Sequence, residues 1–105
     1  MKIINGLGLY VKRTVGGASI TERIGNAYKT IITYANGTIY AHYLDYENNP
    51  VDYNGEIIFE FEGKQQNVQA VNGVAEIPFE VVDAGTYVVR TANPDIENGE
   101  VTINA

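Results

Sequence analysis

The chain has no cysteine and no tryptophan, and it holds one histidine and one serine. Without cysteine, disulfides and thiolate metal centres are excluded. No apolar run approaches the ~20 residues that a membrane-spanning helix needs. Basic residues are scarce, seven against thirteen acidic, and the net charge is −6. That balance disfavours a nucleic-acid partner and an anionic membrane surface, because both would repel it. Nucleophilic catalysis is confined to Ser19 and His42. Ser19 falls in a glycine-rich stretch with no nucleophile-elbow context, and His42 falls at an outward strand position. No catalytic residue is assigned. The glycines of "GLG" (6–8) and "VGGA" (15–18) lack the spacing of a phosphate cradle and read as turns. Asn5, Gly6 and Gly8 interrupt the short apolar stretch after Lys2, so it does not read as an export signal, and the expected place of synthesis and residence is the cytosol.

What is present is turn chemistry between β-formers. Length sets one domain, 105 residues being near the commonest domain size and enough to bury about two thirds of the unfolded surface. Asn-Gly occurs five times, at 5–6, 36–37, 54–55, 72–73 and 98–99. Both residues tolerate the positive φ of a type I′ hairpin turn. Between them, strands read by alternation: 28–34, 38–45, 56–62, 74–80, 86–92 and 100–104. Ile57, Phe59 and Phe61 face one way against Glu56, Glu60 and Glu62. Ala75, Ile77 and Phe79 face away from Glu76 and Glu80. One buried and one wet face per strand predicts two packed antiparallel sheets, an all-β fold. Pro78 removes a ladder donor and marks an edge or a bulge.

The first 27 residues read differently. Leu7, Leu9 and Val11 alternate onto one face, and "TVGGASITERIGN" reads as a long connection. Ser19 and Glu22 form a weak capping box, cut by Gly25 and Asn26 to about one helical turn. The chain divides into an N-terminal arm or extra strand over 1–27 and a sandwich over 28–105.

Two side-chain groupings remain. Acidic residues gather in loops, Asp45, Glu47 and Asp52 being the candidates for calcium, which needs six to eight converging oxygens. Asp45 equally suits a carboxylate that hydrogen-bonds its own turn. No cofactor is expected beyond that candidate ion. Tyr40, His42, Leu44 and Tyr46 alternate onto one outward face, more apolar than water requires. Either it is a contact surface for protein or sugar, or the N-terminal strands cover it, and cover is the stronger expectation.

From Thr38 onward, the segments "YLDYENNPV" (43–51), "EIIFEF" (56–61), "VNGVAEIPF" (71–79), "DAGTYVVRTA" (83–92) and "GEVTINA" (99–105) run in sequence. In this order the chain resembles the bacterial Ig-like domains of surface adhesins and phage structural proteins. The resemblance implies an Ig-like β-sandwich of about seven to nine strands with an N-terminal extension. It also implies a structural corner at Gly85 and Tyr87, the tyrosine hydroxyl bonding to backbone a few residues upstream. A non-enzymatic module acting by protein–protein contact follows. The expected setting is a phage virion, as capsid decoration or tail component, assembled in the bacterial cytoplasm and touching a capsid or tail lattice or other copies of itself. The alternative is an adhesion or carbohydrate-binding module of a larger bacterial surface protein, with a host glycan as ligand.

Overall fold

The computed structural model describes residues 2–105, which form ten antiparallel strands in three sheets and no helix. Seven strands build the sandwich: β4 (Tyr28–Ala35), β5 (Thr38–Asp45), β6 (Glu56–Phe61), β7 (Lys64–Gln69), β8 (Val74–Pro78), β9 (Thr86–Thr91) and β10 (Glu100–Asn104). One sheet runs β4-β5-β8 and the other β10-β9-β6-β7. The chain crosses between sheets after β5, after β7 and after β8. β4 and β5 join through Asn36 and Gly37, at φ 52° and 75°. Both angles are positive, as a two-residue type I′ turn requires.

The core forms because one face of each sheet is apolar. Ile39, Ala41 and Tyr43 of β5 meet Ile57 and Phe59 of β6, Val89 of β9 and Ile103 of β10. Ile39 and Ile57 are fully buried, each contributing about 1.5–3 kcal/mol by leaving water. Aromatic rings close the two poles. At one, Tyr43 stacks on Tyr53 with centroids 4.1 Å apart, and Tyr28 lies 5.6 Å from Tyr43. At the other, Phe79 meets Phe61 and Tyr87 edge-on at 5.2 and 5.9 Å.

The sandwich is closed along one side only. The Thr30 amide donates to the Glu97 carbonyl and the Glu97 amide to the Tyr28 carbonyl, at 2.9 and 3.2 Å. Beside them the buried hydroxyls of Thr30 and Thr91 hydrogen-bond across the sheets. On the opposite side β7 and β8 are both edge strands. Pro78 lies on β8, where its missing amide costs no ladder bond.

The N-terminal residues form their own sheet, β1 (Lys2–Asn5), β2 (Gly8–Val15) and β3 (Ala18–Asn26), in the order β1-β2-β3. The segment expected to be a long connection with a helical turn is instead the β2–β3 hairpin, turning at Gly16 and Gly17 with φ 57° and 81°. Ser19 and Glu22 lie in strand ladder, which satisfies the amides a cap would serve. Leu7 lies in the turn before β2, and a register shift between Leu9 and Tyr10 breaks the expected Leu7-Leu9-Val11 alternation. The sheet is tied to the sandwich at its base: Leu9 and Ala27 are buried, and the Ala27 amide donates to the Leu7 carbonyl at 2.9 Å. Beyond that base it projects, and the molecule measures 63 × 25 × 20 Å.

Candidate functional site

The acidic loop after β5 is held by its own carboxylate. Asp45 Oδ1 accepts from the Glu47 and Asn49 amides at 2.8 and 2.9 Å, and Oδ2 from the Asn49 side chain at 3.2 Å. These donors, the Asn49 amide above all, hold the Asp45 carboxyl below its ordinary range. Asp52 accepts from the Asn54 side chain at 3.1 Å, and Glu47 is exposed. The three calcium candidates therefore do not converge, and among the described residues no three acidic or histidine side chains are grouped to hold a metal.

Ser19 sits near the tip of the N-terminal hairpin and His42 in the middle of β5, on separate sheets. At the other end of the sandwich, the Tyr87 hydroxyl donates to the Asp83 carbonyl at 2.8 Å. Gly85 pairs with Ala105 through two backbone bonds of 2.9 Å. Its φ of 156° is on the extended side of the positive range, not the tight left-handed turn.

The outward face of the β4-β5-β8 sheet carries Tyr40, His42 and Leu44, all half-buried, beside Ile31 and Val74 in register with His42. The N-terminal strands were expected to cover this face, and they do not: Ile31 remains 42% exposed. The reason is where the arm attaches. Leu7 shares a recess with Tyr43, Tyr53 and Ile96 at the pole of the sandwich, so the arm leaves end-on rather than across the sheet. Tyr46 also departs from expectation. It lies past the end of β5 in the turn, its ring centroid 5.2 Å from the Lys2 ammonium. It belongs to the arm junction, and the sheet-face grouping reduces to Tyr40, His42 and Leu44. Of the remaining tyrosines, Tyr43 is the most deeply set; burial and then the nearby Tyr53 and Tyr28 rings push its hydroxyl pKa above the ordinary value.

Two features were missed by sequence reasoning. The first is the arm surface. Cross-strand pairing puts Val11, Arg13 and Val15 on one face with Glu22, Ile20 and Ala18, and Arg13 pairs with Glu22. Val15 and Ile20 are 55% and 44% exposed. A paired-strand signal was available in the Gly16-Gly17 turn flanked by β-branched residues. Charge is divided between arm and sandwich. Residues 2–27 carry Lys2, Lys12, Arg13 and Arg23 against Glu22, a net +3, whereas residues 28–105 carry three basic and twelve acidic side chains, a net −9.

The second is a cleft of about 460 Å³ on the open side of the sandwich, between β7 and β8. Phe59, Phe61, Ile77 and Phe79 line it, with Glu62 and Lys64 at its rim. Compared with protein-family models, curated proteins and solved structures, the chain matches none at a significant level.

Proposed function

We propose that the chain is a non-enzymatic contact module, a structural accessory of a phage particle that works through its N-terminal arm. The observation that carries this reading is the uncovered β1–β3 sheet. Beyond Val11, where β1 stops pairing, the arm is a two-stranded ribbon, marginal without a packing partner, and it holds Val15 and Ile20 in water on a projecting element. Such exposed apolar surface is typical of a protein-contact site. The Ig-like identity of the sandwich is supported by the strand order β4-β5-β8 against β10-β9-β6-β7 and by the Tyr87 hydroxyl bond to upstream backbone. A virion setting is supported by the absence of cysteine, which suits assembly in a reducing cytoplasm.

The test is quantitative mass spectrometry of gradient-purified particles from the source material, with peptides of this chain counted against the major capsid protein. A simple ratio to the capsid subunit identifies a decoration protein, and a few copies per particle a tail component. Absence from particles overturns the reading and favours the surface-module alternative, whose glycan ligand would then be sought on the Tyr40–His42–Leu44 face.

A further inference from the structure

We propose that the chain associates head to tail, the β2–β3 arm of one copy seating in the cleft between β7 and β8 of a second copy. The proposal rests on the contact-module reading and names its partner. Four observations carry it. The charges are complementary: the arm is net +3 and the sandwich net −9, so two copies attract end to end where two arms or two sandwiches repel. The sandwich acids are largely unneutralised, Arg90 with Glu60 at 3.4 Å being its one ion pair among the described residues. The surfaces match in kind: Val15, Ile20 and Ala18 share one face of the arm, and the cleft offers the half-buried Phe61, Ile77 and Phe79.

Backbone hydrogen-bonding capacity is open on both partners. β3 is the edge of its sheet and β7 the edge of its own, so the arm can extend the β7 ladder while its apolar face enters the cleft. β8 is the poorer neighbour, because Pro78 lacks an amide.

Geometry excludes the intramolecular version. The arm joins the sandwich where β4 begins and β5 ends, beside Tyr28 and Asp45. The cleft lies where β6 ends and β7 begins, at Phe61 and Lys64, opposite the start of β5. These are opposite poles, and the arm points away along the 63 Å axis. A contact between different patches on successive copies is heterologous, so it propagates into a row or closes into a ring.

The chain's lack of cysteine makes the test direct. Val15→Cys chains are mixed with Gln66→Cys chains and oxidised, with Thr102→Cys, on the outer face of β10, as the control partner. The expected result is a disulfide-linked heterodimer with Gln66→Cys and none with Thr102→Cys. In parallel, sedimentation of the full chain is expected to show concentration-dependent association that weakens about tenfold or more from low to high salt. Arg13→Glu, on the arm face that enters the cleft, should weaken it further, and mixing that chain with Glu62→Lys chains, altered at the cleft, should restore it. Sedimentation as a monomer at every concentration and salt overturns the proposal, as does equal cross-linking to Thr102→Cys or undiminished association of the charge-reversed arm. A monomeric chain that still co-purifies with particles overturns the head-to-tail contact alone. A self-associating chain absent from particles overturns the virion setting alone.

Discussion

Replacing Gly73 by alanine tests the packing of the sandwich at its tightest backbone approach. Gly73 has φ 83°, and a Cβ placed on it would lie 2.1 Å from the Val51 carbonyl oxygen. Its amide donates to the Tyr53 carbonyl and its carbonyl accepts from the Tyr43 amide, both at 2.8 Å, while the Val51 amide donates to the Tyr43 carbonyl at 3.1 Å. Alanine incurs about 1–2 kcal/mol for the left-handed backbone. Val51 must then retreat, loosening two or three bonds worth about 1 kcal/mol each. The expected loss is about 3–5 kcal/mol, a large fraction of the roughly 5–15 kcal/mol that holds a domain folded. Gly37 is the control, with φ 75° but nothing within 4 Å of an added Cβ. Gly37→Ala should cost the conformational part alone, about 1–2 kcal/mol. Urea unfolding followed by circular dichroism and tyrosine fluorescence reads both, with the slope m unchanged between variants. If Gly73→Ala loses no more than Gly37→Ala, close approach to Val51 does not fix this crossing, and the reasoning fails.

Asn98→Ala should lower unfolding free energy by about 2 kcal/mol in the same assay, because Asn98 accepts from the Thr91 hydroxyl and the Asn93 amide and donates to the Asn93 carbonyl; an unchanged midpoint would show that the β9–β10 loop is held otherwise. Asp45 gives a pH signature. Its folded pKa is lowered by the Asn49 and Glu47 amides, so its contribution is present above the ordinary carboxylate pKa of about 4 and is lost as pH falls through the depressed value. The stability gap between wild type and Asp45→Asn should therefore narrow on acidification below about pH 4, and a gap constant from pH 7 to pH 2 would contradict it. Val15→Asp, at the arm tip, should leave the unfolding midpoint of the dilute monomer within about 0.5 kcal/mol of wild type, since its side chain packs on nothing in the sandwich; a loss of 2 kcal/mol or more would place the tip in a folded core.

Burial decided what was legible in the sequence. Ile57 and Phe59, alternating with Glu56 and Glu60, announced β6 because one face meets the core and the other meets water. β7, "KQQNVQ", carried no such pattern: it is an edge strand exposed at nearly every position, and its turn at Glu62 and Gly63, φ 51° and 76°, has glutamate where asparagine is usual. The outer half of β2 and most of β3 were hidden for the same reason, because beyond the buried Leu9 a ribbon exposed on both faces shows no apolar period. Asn-Gly was an incomplete guide. At 36–37 and 72–73 both residues take positive φ, whereas Asn54, Gly55, Asn98 and Gly99 do not. There the asparagine acts through its side chain, Asn54 on the Asn72 amide and Asn98 on Asn93. The outward face at Tyr40, His42 and Leu44 was legible from alternation, but its lack of cover depended on the arm leaving from the pole near Leu7 and Ala27. The charge division between arm and sandwich was countable all along, and the whole-chain value of −6 concealed it.

The central claim is that the arm is a binding element, uncovered in the free chain and covered on assembly. Hydrogen exchange measured on the dilute chain and on the assembled form tests it most directly. In the free chain the β2–β3 amides should exchange quickly while those of β5 and β6 are protected, and assembly should slow exchange across β2, β3 and β7. Equal protection of arm and sandwich in the free chain, or an arm whose exchange assembly leaves untouched, would contradict it.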